Sequence, residues 1–114
     1  AGVDTIRALL VGGAYTLPRN IEWLVLLGTV AAGYGNDLQN RIEGNALANT
    51  ISGGAAADTL IGGGGDDSLI GGAGQDVFVV TGGQGRDTIT DFAIGADVVQ
   101  LSGSGFATAG AALA

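Results

Sequence analysis

Three consecutive nonapeptides lie between residues 53 and 79: GGAAADTLI (53–61), GGGGDDSLI (62–70) and GGAGQDVFV (71–79). Each has glycine at positions 1 and 2, aspartate at position 6 and a large apolar residue at position 8, and two of the three also have glycine at position 4. A strict short period is the sequence signature of a repeat architecture, in which each unit buries its apolar residue against its neighbours. We therefore expect the chain to fold as a stack of short repeated units.

The same frame extends in both directions from this stretch. Downstream it slips by two residues (Val80-Thr81) and then resumes as GGQGRDTIT (82–90). Upstream it continues as GNALANTIS (44–52) and GNDLQNRIE (35–43), with asparagine at positions 2 and 6 and leucine at position 4. Asparagine tolerates left-handed backbone geometry, so it can replace glycine in a turn, and its amide can hydrogen-bond along a ladder. Because leucine places a side chain where the other repeats have bare backbone, we expect residues 35–52 to stack through side chains and to bind an ion weakly or not at all.

Each position of the repeat has a predicted structural role. Glycine at positions 1, 2 and 4 permits positive φ angles and lets carbonyl groups approach an ion. Positions 7 to 9 form a short strand whose central side chain points inward, because side chains alternate along a strand. The predicted inward residues of the three repeats are Leu60, Leu69 and Phe78.

The composition restricts the chemistry open to the chain. Four arginines and no lysine oppose eleven acidic residues, giving a net charge of −7, which excludes a basic surface for nucleic acid or for anionic membranes. There is no cysteine and no histidine, so any metal ligands must be oxygen atoms, which suit Ca2+ or Mg2+. No apolar run reaches the ~20 residues of a membrane-spanning helix. With histidine, cysteine and lysine all absent, we do not expect an enzyme.

The nonapeptides resemble the RTX, or haemolysin-type, calcium-binding repeat family. The resemblance implies an all-β, right-handed parallel β-roll, or β-solenoid, of nonapeptide repeats with capping strands at both ends. In that fold two nonapeptides make one coil, so alternate repeats share an edge and stacked strands lie ~4.8 Å apart. Asp58 is then expected near Asp76, and Asp67 near Asp87. Several structural Ca2+ ions between the loops would turn carboxylate repulsion into attraction, each with roughly six to eight oxygen ligands.

The predicted calcium ligands are the carboxylates at position 6 and the carbonyls of the glycine-rich loops, with Asp91 completing a terminal site. They are Gly53, Gly54, Ala56, Asp58, Gly62, Gly63, Gly65, Asp67, Gly71, Gly72, Gly74, Asp76, Gly82, Gly83, Gly85, Asp87 and Asp91. Ala56 stands at a position 4 where the ligand would be a carbonyl, so it weakens that loop without abolishing binding. Asp66 lies outside the template and is expected to face solvent. The alternative is a glycine-rich solenoid whose aspartates only cap turns.

Residues 1–34 are the least informative part of the chain. Short alternating runs predict strands at 3–9, 15–17 and 21–27. We expect Trp23 to cover the open end of the solenoid; the alternative is a stacking platform for a sugar ring. Because residues 1–7 fit template positions 3 to 9 and no initiating methionine precedes them, we expect a part of a longer protein.

Four consecutive segments of one domain are predicted: N-terminal strands that cap the solenoid (1–34), asparagine-type repeats (35–52), calcium-binding repeats (53–90) and a C-terminal cap with a small-residue tail (91–114). The run from Asp87 to Leu101 is similar to the closing sequence of RTX arrays. Phe92, Val99 and Leu101 are expected to cover the last coil, since repeat arrays need an end cap for solubility.

The resemblance implies a non-catalytic module that folds on binding extracellular Ca2+ and supports the folding, stability and type I secretion of a larger secreted bacterial protein. The expected partners are calcium, an upstream domain of the same polypeptide and the type I secretion apparatus, with no nucleic acid and no membrane span. The alternative is a surface-binding segment of an adhesin, glycan-binding or ice-binding protein. It is motivated by outward pairs on alternate repeats (Thr50/Ser52, Ser68/Ile70 and Thr88/Thr90), which ordinary strand propensity also explains.

Overall fold

The computed structural model describes residues 5–10, 13–81, 85–92 and 96–102, and within them the chain forms eleven β-strands and no helix. The strands are β1 (Thr5–Leu10), β2 (Ala14–Thr16), β3 (Trp23–Gly28), β4 (Ala32–Tyr34), β5 (Arg41–Glu43), β6 (Thr50–Ser52), β7 (Thr59–Ile61), β8 (Ser68–Ile70), β9 (Val77–Thr81), β10 (Thr88–Ile89) and β11 (Val98–Ser102). Strands β4 to β8 are each three residues long, because a glycine- or asparagine-rich loop follows every short apolar run.

The strands form two parallel sheets. One sheet has the order β1-β3-β5-β7-β9-β11 and the other β10-β8-β6-β4-β2, so consecutive strands alternate between the sheets. Through most of the chain, paired residues are separated by 18 positions, as in Trp23 with Arg41 and Thr50 with Ser68. Two nonapeptides therefore make one turn, and the predicted all-β parallel β-roll is confirmed.

Two insertions lengthen the turns at the C-terminal end. Ser68 pairs with Thr88 and Val77 pairs with Val98, so the spacings grow to 20 and 21 residues. The first insertion is the predicted two-residue slip, which lengthens β9 to five residues. The parallel pairing continues past both insertions, so the stack keeps its architecture where its period changes.

The interior is a single column of apolar side chains from position 8 of successive repeats. In β5 to β8 the central residue is buried and its two neighbours are half-buried, as strand alternation requires. The predicted inward residues Leu60, Leu69 and Phe78 are all fully buried. Leu24, Leu26, Val30, Ile42 and Ile51 continue the same core toward the N-terminus.

The regular spacing also runs through the N-terminal third, where the sequence showed little pattern. Thr5 pairs with Trp23 and Ala14 with Ala32, so β1 to β4 are rungs of the same two sheets. Sequence reasoning missed β4. Its central residue, Gly33, has no apolar side chain to mark an inward position, because a β-carbon there would lie 3.1 Å from the side chains of Leu24 and Leu26.

Trp23 does not cover the open end of the solenoid, and that prediction was wrong. It begins β3, which lies between β1 and β5, and its side chain is 41% exposed on the outer face of the sheet. The inward residues of β3 are Leu24 and Leu26. The Arg41 guanidinium lies over the indole at 5.4 Å from the ring centroid, a cation–π contact across neighbouring strands.

Aromatic packing covers the last turns of the column. The ring centroids of Phe78 and Phe92 are 6.2 Å apart, and Phe92 and Val99 pack against the core as predicted. The side chain of Leu101 and residues 103–114 lie outside the described residues. Among the described residues, no helix has the length and apolar character to span a membrane.

Candidate metal centre

The loops alternate between two edges of the roll, because consecutive strands belong to opposite sheets. The first edge carries loops 35–40, 53–58 and 71–76, and the second edge carries loops 44–49, 62–67 and 82–87. Within the last of these, the predicted ligands Gly82 and Gly83 lie outside the described residues.

Neighbouring loops on one edge touch through their backbones. The N–H of Ala73 donates to the carbonyl oxygen of Gly54 at 3.1 Å, and the N–H of Gly64 donates to that of Asn45 at the same distance. Position 2 of loops 35–40, 44–49 and 53–58 thus presents its carbonyl group to the following loop on its edge. A carbonyl oxygen has two lone pairs, so one remains for a cation after this hydrogen bond.

Positions 2 and 4 of the loops require glycine for two reasons. Gly54 and Gly72 have φ angles of 99° and 86° at position 2, and Gly65 and Gly74 have 78° and 98° at position 4, a region that other residues avoid. In addition, a β-carbon on Gly72 would overlap the carbonyl oxygen of Gly54. The positive φ angles predicted for these two positions are confirmed. Ala56, with φ of 68°, is the one non-glycine residue with positive φ among those described.

Position 1 requires glycine for a different reason from the predicted one. Gly53, Gly62 and Gly71 do not have positive φ angles, so the prediction of left-handed geometry was wrong there. Instead, a β-carbon on any of them would overlap the Oδ2 atom of the aspartate that ends the same loop. The absence of a side chain at position 1 makes room for this carboxylate inside the loop.

A ladder of position-6 side chains runs along the first edge. The N–H of Asn40 donates to Oδ1 of Asp58 at 2.7 Å, and the N–H of Asp58 donates to Oδ1 of Asp76 at 2.9 Å. The N–H of Asp76 in turn donates to Oδ1 of Asp97 at 2.9 Å. The expected proximity of Asp58 and Asp76 is confirmed.

The second edge has the same arrangement. The N–H of Asn49 donates to Oδ1 of Asp67 at 2.8 Å, and the N–H of Asp67 donates to Oδ1 of Asp87 at 3.1 Å. The expected proximity of Asp67 and Asp87 is also confirmed. Both edges therefore pass from asparagine to aspartate at the same height of the stack.

Asp97 was missed as a site residue. It is 7% exposed. Its Oδ1 accepts the N–H of Asp76, just as Oδ1 of Asp76 accepts the N–H of Asp58. A signal was present, because Gly95, Asp97 and Val99 fit positions 4, 6 and 8 of the nonapeptide. Phe92 and Ala93 replace the paired glycines at positions 1 and 2, and this hid the degenerate repeat.

Among the described residues, three carboxylate oxygens are buried without a hydrogen-bond partner. They are the Oδ2 atoms of Asp58, Asp67 and Asp76, each packed against the first glycine of its own loop. An ionised oxygen in such a place has lost its water without gaining a donor, which is strongly unfavourable. These atoms are suited to a cation.

Burial also changes the acidity of the ladder. Loss of hydration on burial raises the pKa of Asp58 to about 7, with a smaller contribution from the neighbouring Asp76 carboxylate, while the Asn40 N–H opposes the shift. Burial raises the pKa of Asp67 to about 7 as well, and Asp87 adds to the rise. The pKa values of Asp76 and Asp87 are likewise raised, chiefly by burial.

The asparagine-type loops satisfy the same positions without an ion. The Oδ1 atom of Asn40 accepts the N–H of Asn36 at 2.7 Å, and Oδ1 of Asn49 accepts the N–H of Asn45 at 2.9 Å. The side-chain amide groups donate to backbone carbonyls of the preceding turn. For example, Nδ2 of Asn40 donates to the carbonyl oxygen of Ile21 at 3.2 Å. The predicted hydrogen-bonded amide ladder is therefore present.

The asparagines at position 2 do not adopt the left-handed conformation that the sequence suggested. Asn36 and Asn45 have negative φ angles. Their Oδ1 atoms instead accept the N–H groups of Leu38 and Leu47, both at 2.9 Å, in an Asx-type turn. The two leucine side chains at position 4 point to solvent and are 37% and 46% exposed.

Asp91 lies on the first edge and binds the loop backbone. Its Oδ1 accepts the N–H of Gly71 at 2.9 Å and its Oδ2 accepts the N–H of Gly72 at 2.7 Å. In earlier turns the first glycine donates to a strand carbonyl instead, as Gly53 does to Ile70 at 2.8 Å. The Asp91 carboxylate thus replaces a carbonyl partner at the end of the stack.

Asp66 is exposed, as expected, but it also takes part in loop contacts. Its Oδ1 accepts the N–H of Arg86 at 2.7 Å, which joins loop 62–67 to the described part of the next loop. Gly85, a predicted ligand in that part, has the positive φ of 100° that position 4 requires.

The donor set fits Ca2+ held by paired carboxylates and loop carbonyls. Among the residues that the structure describes, no three acidic side chains converge closely enough to hold a metal ion by themselves. Each pair of carboxylates would therefore need backbone oxygens from the glycine-rich loops to complete the coordination of a hard cation. Bound Ca2+ would supply positive charge at the orphaned oxygens.

Comparison with known proteins agrees with this geometry. A family model described as the RTX calcium-binding nonapeptide repeat matches residues 43–78, in four copies. This part of the chain is similar to RTX calcium-binding repeats, which are typical of secreted bacterial proteins. The match begins before loop 44–49, so it includes an asparagine-type repeat, and it ends before Asp87 and Asp97. No curated protein and no solved structure matches the chain.

Proposed function

We propose that the chain is a non-catalytic calcium-binding module that folds on binding extracellular Ca2+ and supports the folding, stability and type I secretion of a larger secreted bacterial protein. The observation that carries the proposal is the set of three buried, unpartnered carboxylate oxygens in the aspartate loops. The proposed ligands are the paired carboxylates Asp58 with Asp76 and Asp67 with Asp87, together with loop carbonyls.

The coupling of calcium to folding follows from the same carboxylates. Without a cation, Asp58, Asp67 and Asp76 are buried beside like charges, which opposes folding at neutral pH. Extracellular calcium modules bind at about 10⁻⁴ to 10⁻³ M, well above cytosolic calcium. The aspartate repeats would stay unfolded inside the cell, pass through the export channel as an extended chain, and fold outside.

Circular dichroism of the whole chain tests the proposal. In excess chelator at pH 7.5 we expect most of the β signal to be lost, and millimolar Ca2+ to restore it, while equal Mg2+ restores much less. The preference for Ca2+ follows from the flexible, many-oxygen coordination that the loops offer. A β signal that stays the same in chelator and in Ca2+ would contradict the proposal.

A second candidate function is surface binding by the outer face of the β2-β4-β6-β8-β10 sheet. Thr50, Ser68 and Thr88 form one row across paired strands, and Tyr34 is 37% exposed next to Ser52. This row is uncharged on a chain of net charge −7, which favours a neutral ligand such as a glycan. A glycan array with the calcium-loaded chain tests this candidate, and an absence of binding would remove it.

A further inference from the structure

The three orphaned oxygens have the same surroundings. Each belongs to a position-6 aspartate whose backbone N–H donates to an aspartate carboxylate of the next turn. Each also lies against the first glycine of its own loop. The resulting pairs are Asp58 with Asp76, Asp67 with Asp87, and Asp76 with Asp97.

The third pair is equivalent to the other two in geometry. The distance from the Asp76 nitrogen to Oδ1 of Asp97 is 2.9 Å, equal to that from the Asp58 nitrogen to Oδ1 of Asp76. Asp76 is fully buried and Asp97 is 7% exposed, so neither carboxylate is freely hydrated. Asp97 immediately precedes β11, just as Asp76 immediately precedes β9.

We infer that Asp97 forms a third calcium site with Asp76 and loop 71–76, on the first edge of the roll. The inference rests on the proposed calcium-binding function and adds one ion to the two that the other aspartate pairs would hold. The site lies beyond the segment that matches the RTX repeat, in a degenerate repeat that lacks the paired glycines of the nonapeptide.

The asparagine–aspartate pairs nearer the N-terminus of the ladder explain why we expect three calcium ions and no more. Asn40 precedes Asp58, and Asn49 precedes Asp67, but the corresponding asparagine oxygens already accept N–H groups. The asparagine side chains therefore have no unpartnered buried oxygen. Each asparagine–aspartate pair also has one carboxylate where an aspartate pair has two, so it offers a cation too little negative charge. Three aspartate pairs, one for each orphaned oxygen, then give three ions.

Asp37 provides a control for Asp97, because it is an exposed carboxylate in the asparagine-type loop 35–40 and is not a predicted ligand. Asp91 is a carboxylate at the same loop as the proposed third site, but both of its oxygens already accept backbone N–H groups of Gly71 and Gly72. We assign it to capping the loop backbone at the end of the stack. Asparagine at Asp97 should be tolerated, because the chain itself uses asparagine at position 6 in Asn40 and Asn49.

The test is calcium stoichiometry of the full chain, measured by isothermal titration calorimetry and by native mass spectrometry, with circular dichroism to verify folding. We expect three ions for the unmodified chain, two for Asp97→Asn and three for Asp37→Asn. An Asp97→Asn variant that keeps the stoichiometry of the unmodified chain, or an Asp37→Asn variant that also loses an ion, would overturn the inference.

A crystal of the unmodified chain grown in Ca2+ gives a second measurement, which does not depend on a variant folding. Anomalous scattering should show an ion between Asp76 and Asp97, and its absence there with ions at the other two pairs would refute the third site alone. If the unmodified chain binds no calcium at all, the proposed function fails as well, so the two failures are distinguishable.

Discussion

At the scale of single residues, the loop conformation depends on glycine at positions where a β-carbon would overlap neighbouring atoms. Glycine at position 2 lets a carbonyl of the neighbouring loop approach, and glycine at position 1 makes room for the aspartate Oδ2 atom. Ala56 is the exception, because it holds a positive φ of 68° with a β-carbon present. A left-handed conformation costs a non-glycine residue about 1 to 2 kcal/mol, so loop 53–58 carries strain that the other aspartate loops avoid.

Replacing Ala56 with glycine should therefore stabilise the calcium-loaded chain. We expect the free energy of unfolding to rise by up to about 1 kcal/mol, since relief of the left-handed strain exceeds the entropy that glycine adds to the unfolded chain. Urea denaturation in saturating Ca2+ measures this change.

Ala57→Gly is the matched control, because Ala57 has a negative φ in the same loop. It should lower the free energy of unfolding by about 0.5 to 1 kcal/mol, through backbone entropy alone. Equal destabilisation by the two substitutions would show that Ala56 is not strained.

At the scale of elements, the roll is built by two kinds of loop on one frame. Loops 35–40 and 44–49 satisfy their polar groups with asparagine side chains, whereas loops 53–58, 62–67 and 71–76 leave one carboxylate oxygen each without a partner. Strands β5 and β6 follow loops of the first kind, and β7, β8 and β9 follow loops of the second kind. The dependence on calcium should therefore differ along the chain.

Hydrogen exchange measured by mass spectrometry should resolve this difference. On chelation we expect β7, β8 and β9 to lose most of their protection, and β5 and β6 to lose less, because asparagine hydrogen bonds persist without an ion. The calcium-loaded chain is the reference state. Equal loss of protection in both groups of strands would count against a division into ion-dependent and ion-independent loops.

The sequence predicted those elements whose position 8 is a large apolar residue. The pairing of Asp58 with Asp76 and of Asp67 with Asp87 was predicted from the nonapeptide frame together with the two-repeat turn that the family resemblance implies. Prediction from the sequence failed where a residue must be small to fit its surroundings. Gly33 has no side chain because Leu24 and Leu26 occupy the space that a β-carbon would need. Such packing has no periodic signal, and it hid β4.

At the scale of the whole molecule, charge is distributed unevenly. Residues 1–42 contain three arginines and three acidic residues, whereas residues 43–114 contain one arginine and eight acidic residues, so the whole net charge of −7 lies in the C-terminal part. Five of those eight acids belong to the ladder: Asp58, Asp67, Asp76, Asp87 and Asp97. Repulsion among them in a water-poor interior must be offset by a proton or by a cation.

The sign of the pH dependence follows from the raised pKa values. Burial raises the pKa of Asp58 and of Asp67 from 3.8 to about 7, so the folded metal-free chain holds more protons than the unfolded chain between these values. Its stability is therefore highest below about pH 4 with respect to these groups, falls as the pH rises, and has lost their contribution above about pH 7. Bound Ca2+ replaces those protons, so its stabilising effect should grow with pH.

Thermal unfolding followed by circular dichroism at pH 5 and at pH 8, each with chelator and with millimolar Ca2+, tests most directly whether buried paired carboxylates make this fold depend on a cation. In chelator we predict a thermal transition at pH 5 that is lost or shifted to lower temperature at pH 8, and a stabilisation on adding Ca2+ that is larger at pH 8 than at pH 5. A Tm in chelator that does not fall between pH 5 and pH 8, together with no effect of Ca2+ at pH 8, would contradict the account.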